Sequence, residues 1–218
     1  MHWVIVTLPL AVIGLVVGWA ASRALSRARR PAPVPVWCGP ATGALWGATG
    51  LLAAQGVLPG WWLPVPLAAA AFAVPLAVAD LRYRRLPDVL TLPAYAVALA
   101  AVGSAAASGP GPPLALAALV GGAVTLACHC AVHALAPGSL GPGDVKLSGS
   151  LGVLSTAAGW PTLVVSLVLA SLFTAVLGAA AALAGTRRWR DGVPHGPGLL
   201  AATVLGVSLP GEVVRVGS

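Results

Sequence analysis

The chain has 218 residues, 58% of them hydrophobic and only 8% charged, with 12 basic and five acidic side chains and a net charge of +7. A soluble domain carries roughly 25% charged residues, so this composition, with a mean hydropathy of +0.93, excludes a soluble globular protein and predicts an all-α, polytopic transmembrane bundle in contact with membrane lipid. The positive charge does not make nucleic acid a partner: it falls in short clusters at 23–30, 82–85 and 187–190, separated by apolar runs rather than joined in one basic face.

A span across a hydrocarbon core of ~30 Å needs about 20 apolar residues. The first segment, residues 3–22, has its arginines after it rather than before it. It therefore reads as an uncleaved span with its N-terminus outside, not as a secretory signal. The second, 40–57, ends at the turn Leu58-Pro59-Gly60-Trp61-Trp62, and the third covers 63–80. The fourth covers 88–108, and Gly109-Pro110-Gly111-Pro112-Pro113 leads to the fifth at 114–136. The sixth is short, 145–158; a turn at Trp160-Pro161 precedes the seventh at 162–184, and the eighth covers 198–209. The whole chain reads as one integral-membrane domain, with 1–39 a first span and basic cytoplasmic loop and 40–212 a helical core.

Eight spans put Arg23, Arg27, Arg29, Arg30, Arg82, Arg84, Arg85, Lys146, Arg187, Arg188 and Arg190 on the inner side and leave Arg215 alone outside. That is the asymmetry of cytoplasmic loops. Trp61, Trp62 and Trp160 are then expected at the outer interface, and Trp19, Trp37 and Trp189 at the inner one.

Two of the five acids stand where charge is expensive. Asp80 closes the third span and Asp144 opens the sixth, on the same side and at similar depth. Ionisable groups at membrane depth are functional candidates, and two carboxylates that meet can share a proton and activate water. The sixth span, at ~1.5 Å per residue, reaches only ~21 Å. Either the bilayer thins there, or the segment begins in a recessed, water-filled pocket where irregular backbone is permitted.

Gly141 and Gly143 permit positive φ and close approach of an extended strand, so they and Lys146 are the candidate substrate-binding residues. Lys146 lies about 200° around a helix from Asp144, so those two do not pair, and a helix-end anchor is its plainer role. The bland alternatives are an N-cap for Asp144 and neutralisation of Asp80 by its neighbouring arginines. Asp88, after Pro87, reads as an N-cap.

Three cysteines, none in a Cys-x-x-Cys pair, support neither a disulfide framework nor a zinc ribbon. His129 and His133 share a helix face, but Cys128 and Cys130 point elsewhere. Packing is their plainer role, and no metal or other cofactor is expected.

Asp80 with Leu86-Pro87-Asp88 and Leu92-Pro93, then Gly141-Pro142-Gly143-Asp144-Val145-Lys146-Leu147 with Gly149 and Gly152, resembles the type IV prepilin peptidases. These membrane aspartyl proteases share a glycine-x-glycine-aspartate motif with presenilin-type enzymes. The stretch Val193-Pro194-His195-Gly196-Pro197-Gly198 is similar to that family's proline-phenylalanine-glycine-proline stretch before the last span, with His195 in place of phenylalanine. The resemblance implies Asp80 and Asp144 as the catalytic pair. It implies as partner a prepilin-like peptide, whose basic leader is removed at the cytoplasmic face of a bacterial plasma membrane.

Many relatives also methylate the new N-terminus and carry two Cys-x-x-Cys pairs after the first span. Here that loop has Cys38 alone, so neither a zinc-bound loop nor methyl transfer is supported, and the compact form looks more like the peptidases of tight-adherence pilus systems. The competing class is a small proton-coupled transporter with Asp80 and Asp144 as relay acids. Inverted repeats would favour it, and the two halves show no clear self-similarity.

Overall fold

In hydrocarbon a backbone must satisfy its own polar groups, and helices do so within one segment. The computed structural model describes residues 2–136, 138, 140–185 and 192–209, with side chains from residue 4 onward. Arg187, Arg188, Trp189, Arg190 and Arg215, expected at the membrane faces, lie outside the described residues. Within them no strand occurs, and eight helices run in order: α1 (His2–Ser26), α2 (Cys38–Ala54), α3 (Pro64–Tyr83), α4 (Asp88–Ser108), α5 (Pro112–Leu135), α6 (Pro142–Ala157), α7 (Trp160–Leu183) and α8 (Gly196–Ser208). A 3₁₀ turn over Gly60–Trp62 leads into α3.

Each expected segment coincides with a helix, and the fourth has the same ends. Five helices are long and apolar enough to cross a membrane: α1, α3 (with its 3₁₀ turn), α4, α5 and α7. α2, α6 and α8 are shorter, at 17, 16 and 13 residues. α6 starts earlier than hydropathy alone places it, because Pro142 occupies the first turn, where its missing N–H costs nothing. That start draws Asp144 into the helix.

The helices divide by what they touch. In α3, 67% of the apolar window is buried, against 17% in α1 and α7. α6 packs against α3, α4, α5, α7 and α8, and it is buried continuously from Leu147 to Ala157. The two helices that carry Asp80 and Asp144 are thus at the centre, while α7 turns Val164, Val168 and Leu172 outward.

Lipid offers no hydrophobic drive for helix association, so contact rests on small residues and close packing. A Cβ added at Gly152 would lie 2.6 Å from Thr125 Oγ1 on α5. One at Gly18 would lie 2.9 Å from the Gly39 Cα, which is how α1 and α2 come together.

Trp62, expected at the outer interface, is turned into the bundle. It is fully buried, and its indole N–H donates to the Val207 carbonyl at 2.9 Å. Trp19, Trp37 and Trp160 are exposed.

Candidate active site

The site begins where α3 stops. Arg84 takes a left-handed conformation (φ 52°), and its N–H donates to the Asp80 carbonyl at 2.7 Å. It is the one non-glycine residue with positive φ among the described residues, a conformation that costs roughly 1 kcal/mol. This cap turns the chain aside one helical turn after Asp80. The buried loop residue Leu86 then packs toward α6, and Pro87 caps α4.

Asp144 comes from the opposite direction. Gly141 is the N-cap of α6 and Asp144 is three residues further on, so its carboxylate lies close to Gly141. This is the acidic position of a capping box, rather than the N-cap position itself. Asp80 is 5% exposed and Asp144 8%. Beneath them lies a cluster of Leu25, Leu76, Leu86, Leu90, Leu147 and Leu199, drawn from five helices and the α3–α4 loop.

Gly196, the first residue of α8, joins the two carboxylates. Its N–H donates to Asp80 Oδ2 at 3.2 Å. A Cβ built on it would lie 2.8 Å from Asp80 Oδ2 and 3.4 Å from Asp144 Oδ1. The two oxygens are therefore at most ~6 Å apart, within the range where like charges act strongly on each other. Asp144 Oδ1 is buried and has no hydrogen-bond partner among the described residues. Both carboxylates line one cleft of about 670 Å³.

The other candidates fall out differently. Gly141 and Gly143 line the cleft, but neither has positive φ. A Cβ at Gly143 would lie 2.9 Å from Leu86 Cβ, so this glycine admits the α3–α4 loop. Lys146 lies away from Asp144 and reaches across to α4, where its Nζ meets Asp88 Oδ1 at 2.8 Å and Oδ2 at 3.0 Å. Asp88 is not an N-cap: Pro87 holds that position, and Asp88 is the first residue of α4, its carboxylate committed to Lys146. His129 Nδ1 donates to the Thr125 carbonyl, and His133 Nδ1 to that of Leu140, each at 2.8 Å.

The sequence marks His195 and Gly196 only as part of the stretch leading into α8 and gives neither a role at the site, and it does not mark Thr174 at all. Thr174 Oγ1 donates to the Ala170 carbonyl at 2.9 Å. Its 2.7 Å contact with His195 Nδ1 therefore has the imidazole N–H as donor. Burial, with His129 nearby, holds His195 below the usual imidazole range, consistent with a neutral ring. The available signal was a glycine between His195 and Pro197, immediately before a helix.

A sequence profile of the type IV leader peptidase family matches residues 67–179, just over half of the chain. The match contains both Asp80 and Asp144 and ends before His195. No curated protein and no solved structure matches the chain. A profile match of this extent, on an all-helical bundle of the expected kind, settles the relationship: the chain belongs to the type IV leader peptidase family.

Proposed function

We propose that this protein is an aspartic-type endopeptidase that removes the basic leader from prepilin-like substrates at the cytoplasmic face of a bacterial plasma membrane. Its family is one of leader peptidases. The observation that carries the aspartic chemistry is the convergence of Asp80 and Asp144 on Gly196.

Two carboxylates at this spacing do not readily both ionise, so the pair shares one proton. The ionised member takes a proton from water, and the resulting hydroxide attacks the scissile carbonyl carbon. The protonated member donates to the carbonyl oxygen as it gains charge. Collapse returns a proton to the leaving amine and breaks the C–N bond. The Gly196 N–H orients Asp80 throughout, and Asp144 Oδ1, without a hydrogen-bond partner among the described residues, is available to the water or the substrate. The apolar stretch of the substrate lies in the bilayer while its positive leader stays on the cytoplasmic side.

Asp80→Asn and Asp144→Asn each preserve shape and remove a titrating group. Co-expression with a pilin-like substrate, read as a gel shift, should show leader removal by the wild type. Each variant should lose at least 100-fold in rate, the low end for a positioned acid or base, while still inserting. Full processing by either variant would overturn the reading.

A further inference from the structure

The cleft that holds the two aspartates is also walled by Arg27, Arg29 and Arg30. They follow directly after α1, outside the residues that match the family profile. The segment that carries them is anchored to the catalytic end of α3. Tyr83 Oη donates to the Pro33 carbonyl at 2.8 Å, and Arg85 Nη2 to that of Pro31 at 3.3 Å. Between them Ala32 is fully buried, and its N–H donates back to the Leu25 carbonyl at 3.0 Å.

The charges in this space do not cancel. Asp88 is neutralised by Lys146, and Asp80 and Asp144 together hold a shared proton in the mechanism above. Arg85 faces the same cleft, and Arg84 acts on Asp80. Arg27, Arg29 and Arg30 form no ion pair with any described residue. A basic peptide laid along this wall would meet like charge. A carboxylate would meet planar guanidinium groups, whose paired N–H donors match its two oxygens.

We propose that Arg27, Arg29 and Arg30 are specificity-determining residues that bind a carboxylate on the substrate segment lying in the catalytic cleft; this rests on the leader-peptidase reading. The leader's own positive charges then face the open mouth of the cleft and water. An anionic lipid headgroup offers related chemistry. The peptide is favoured because the arginines line the same space as the dyad and their segment is bonded to Tyr83 and Arg85.

The test uses purified full-length protein in uncharged detergent and two pilin-like peptides that differ only by glutamate or glutamine beside the scissile bond. The wild type should show a KM about tenfold lower for the glutamate peptide, roughly what charge-assisted, paired hydrogen bonds from guanidinium groups to one carboxylate supply. That preference should shrink as salt rises. The triple variant Arg27→Gln, Arg29→Gln, Arg30→Gln should erase the difference between the peptides, and the corresponding Arg→Glu triple should reverse it in favour of the glutamine peptide.

Equal KM values for the wild type, or a preference that survives in the triple variant, would overturn the proposal. So would a wild type indifferent to peptide charge whose triple variant loses activity only in vesicles of anionic phospholipid, which would assign the wall to a headgroup. Failure of the underlying reading looks different: no product from either peptide, or equal product from Asp144→Asn. Fluorescence anisotropy of the same peptides on Asp144→Asn separates the two cases, since the glutamate peptide should still bind about tenfold tighter if the wall reads carboxylates.

Discussion

A single missing Cβ holds the site together. Gly196 lies between two buried carboxylates and donates its N–H to one of them. Gly196→Ala would drive a methyl group to 2.8 Å from Asp80 Oδ2, closer than any real Cβ contact allows. We expect at least 100-fold slower leader removal, comparable to losing a positioned acid or base. Gly103→Ala, where an added Cβ meets nothing, should process substrate at the wild-type rate; equal losses in the two would mean that the geometry at Gly196 is not what matters. Next to it, His195 donates to Thr174, which is anchored in turn on Ala170. Each of His195→Ala and Thr174→Val removes the same bond, worth about 1 kcal/mol. Each should lower kcat by roughly fivefold, and the double variant should fall no further than either single, because groups joined in one bond act as a unit. Additive losses would separate the two residues.

At the scale of elements, α6 is the piece on which α3, α4, α5, α7 and α8 close. Its partners approach through glycine, so added volume there has nowhere to go. Gly152→Leu would press its side chain into Thr125 and the Gly121 carbonyl of α5. Overpacking of this kind costs about 1–3 kcal/mol, and we expect a lower midpoint for thermal unfolding in detergent. An unchanged midpoint would mean that α5 yields without cost. Asp144, in the first turn of the same helix, depends on α6 keeping its place beside α3 and α8. The Lys146–Asp88 bridge joins α6 to α4, but its side chains are 48% and 55% exposed, so it contributes at most about 1 kcal/mol and is secondary to packing.

For the whole molecule, α3 and α6 form the centre, and α1, α5 and α7 face outward with little of their surface buried. The tethers from Tyr83 and Arg85 to the chain after α1 put 27–33 and 82–85 beside each other, so both segments must lie on one side of the membrane. With Cys38, Cys128 and Cys130 replaced, single cysteines at positions 29 and 85 should both react with an impermeant thiol reagent in inside-out vesicles and resist it in intact cells. Labelling of either from outside would overturn the inward-facing orientation and the cytoplasmic cleavage proposed with it.

Composition and hydropathy alone determined the class of protein and the eight helical segments, because a hydrocarbon solvent imposes runs of apolar length that are local in sequence. The two aspartates were legible for the same reason: a carboxylate at the end of an apolar run is conspicuous, and five acids in the whole chain leave few others to weigh. Tertiary structure decided the rest. Helices that are apolar on nearly every side carry no periodic mark of which face turns inward, so nothing local distinguishes buried Trp62 from exposed Trp160. Nothing local assigns Lys146 to Asp88 across 58 positions, or brings Gly196 to Asp80 across 116. Those meetings follow from close packing of small residues around α3 and α6, a property of two surfaces together rather than of either segment.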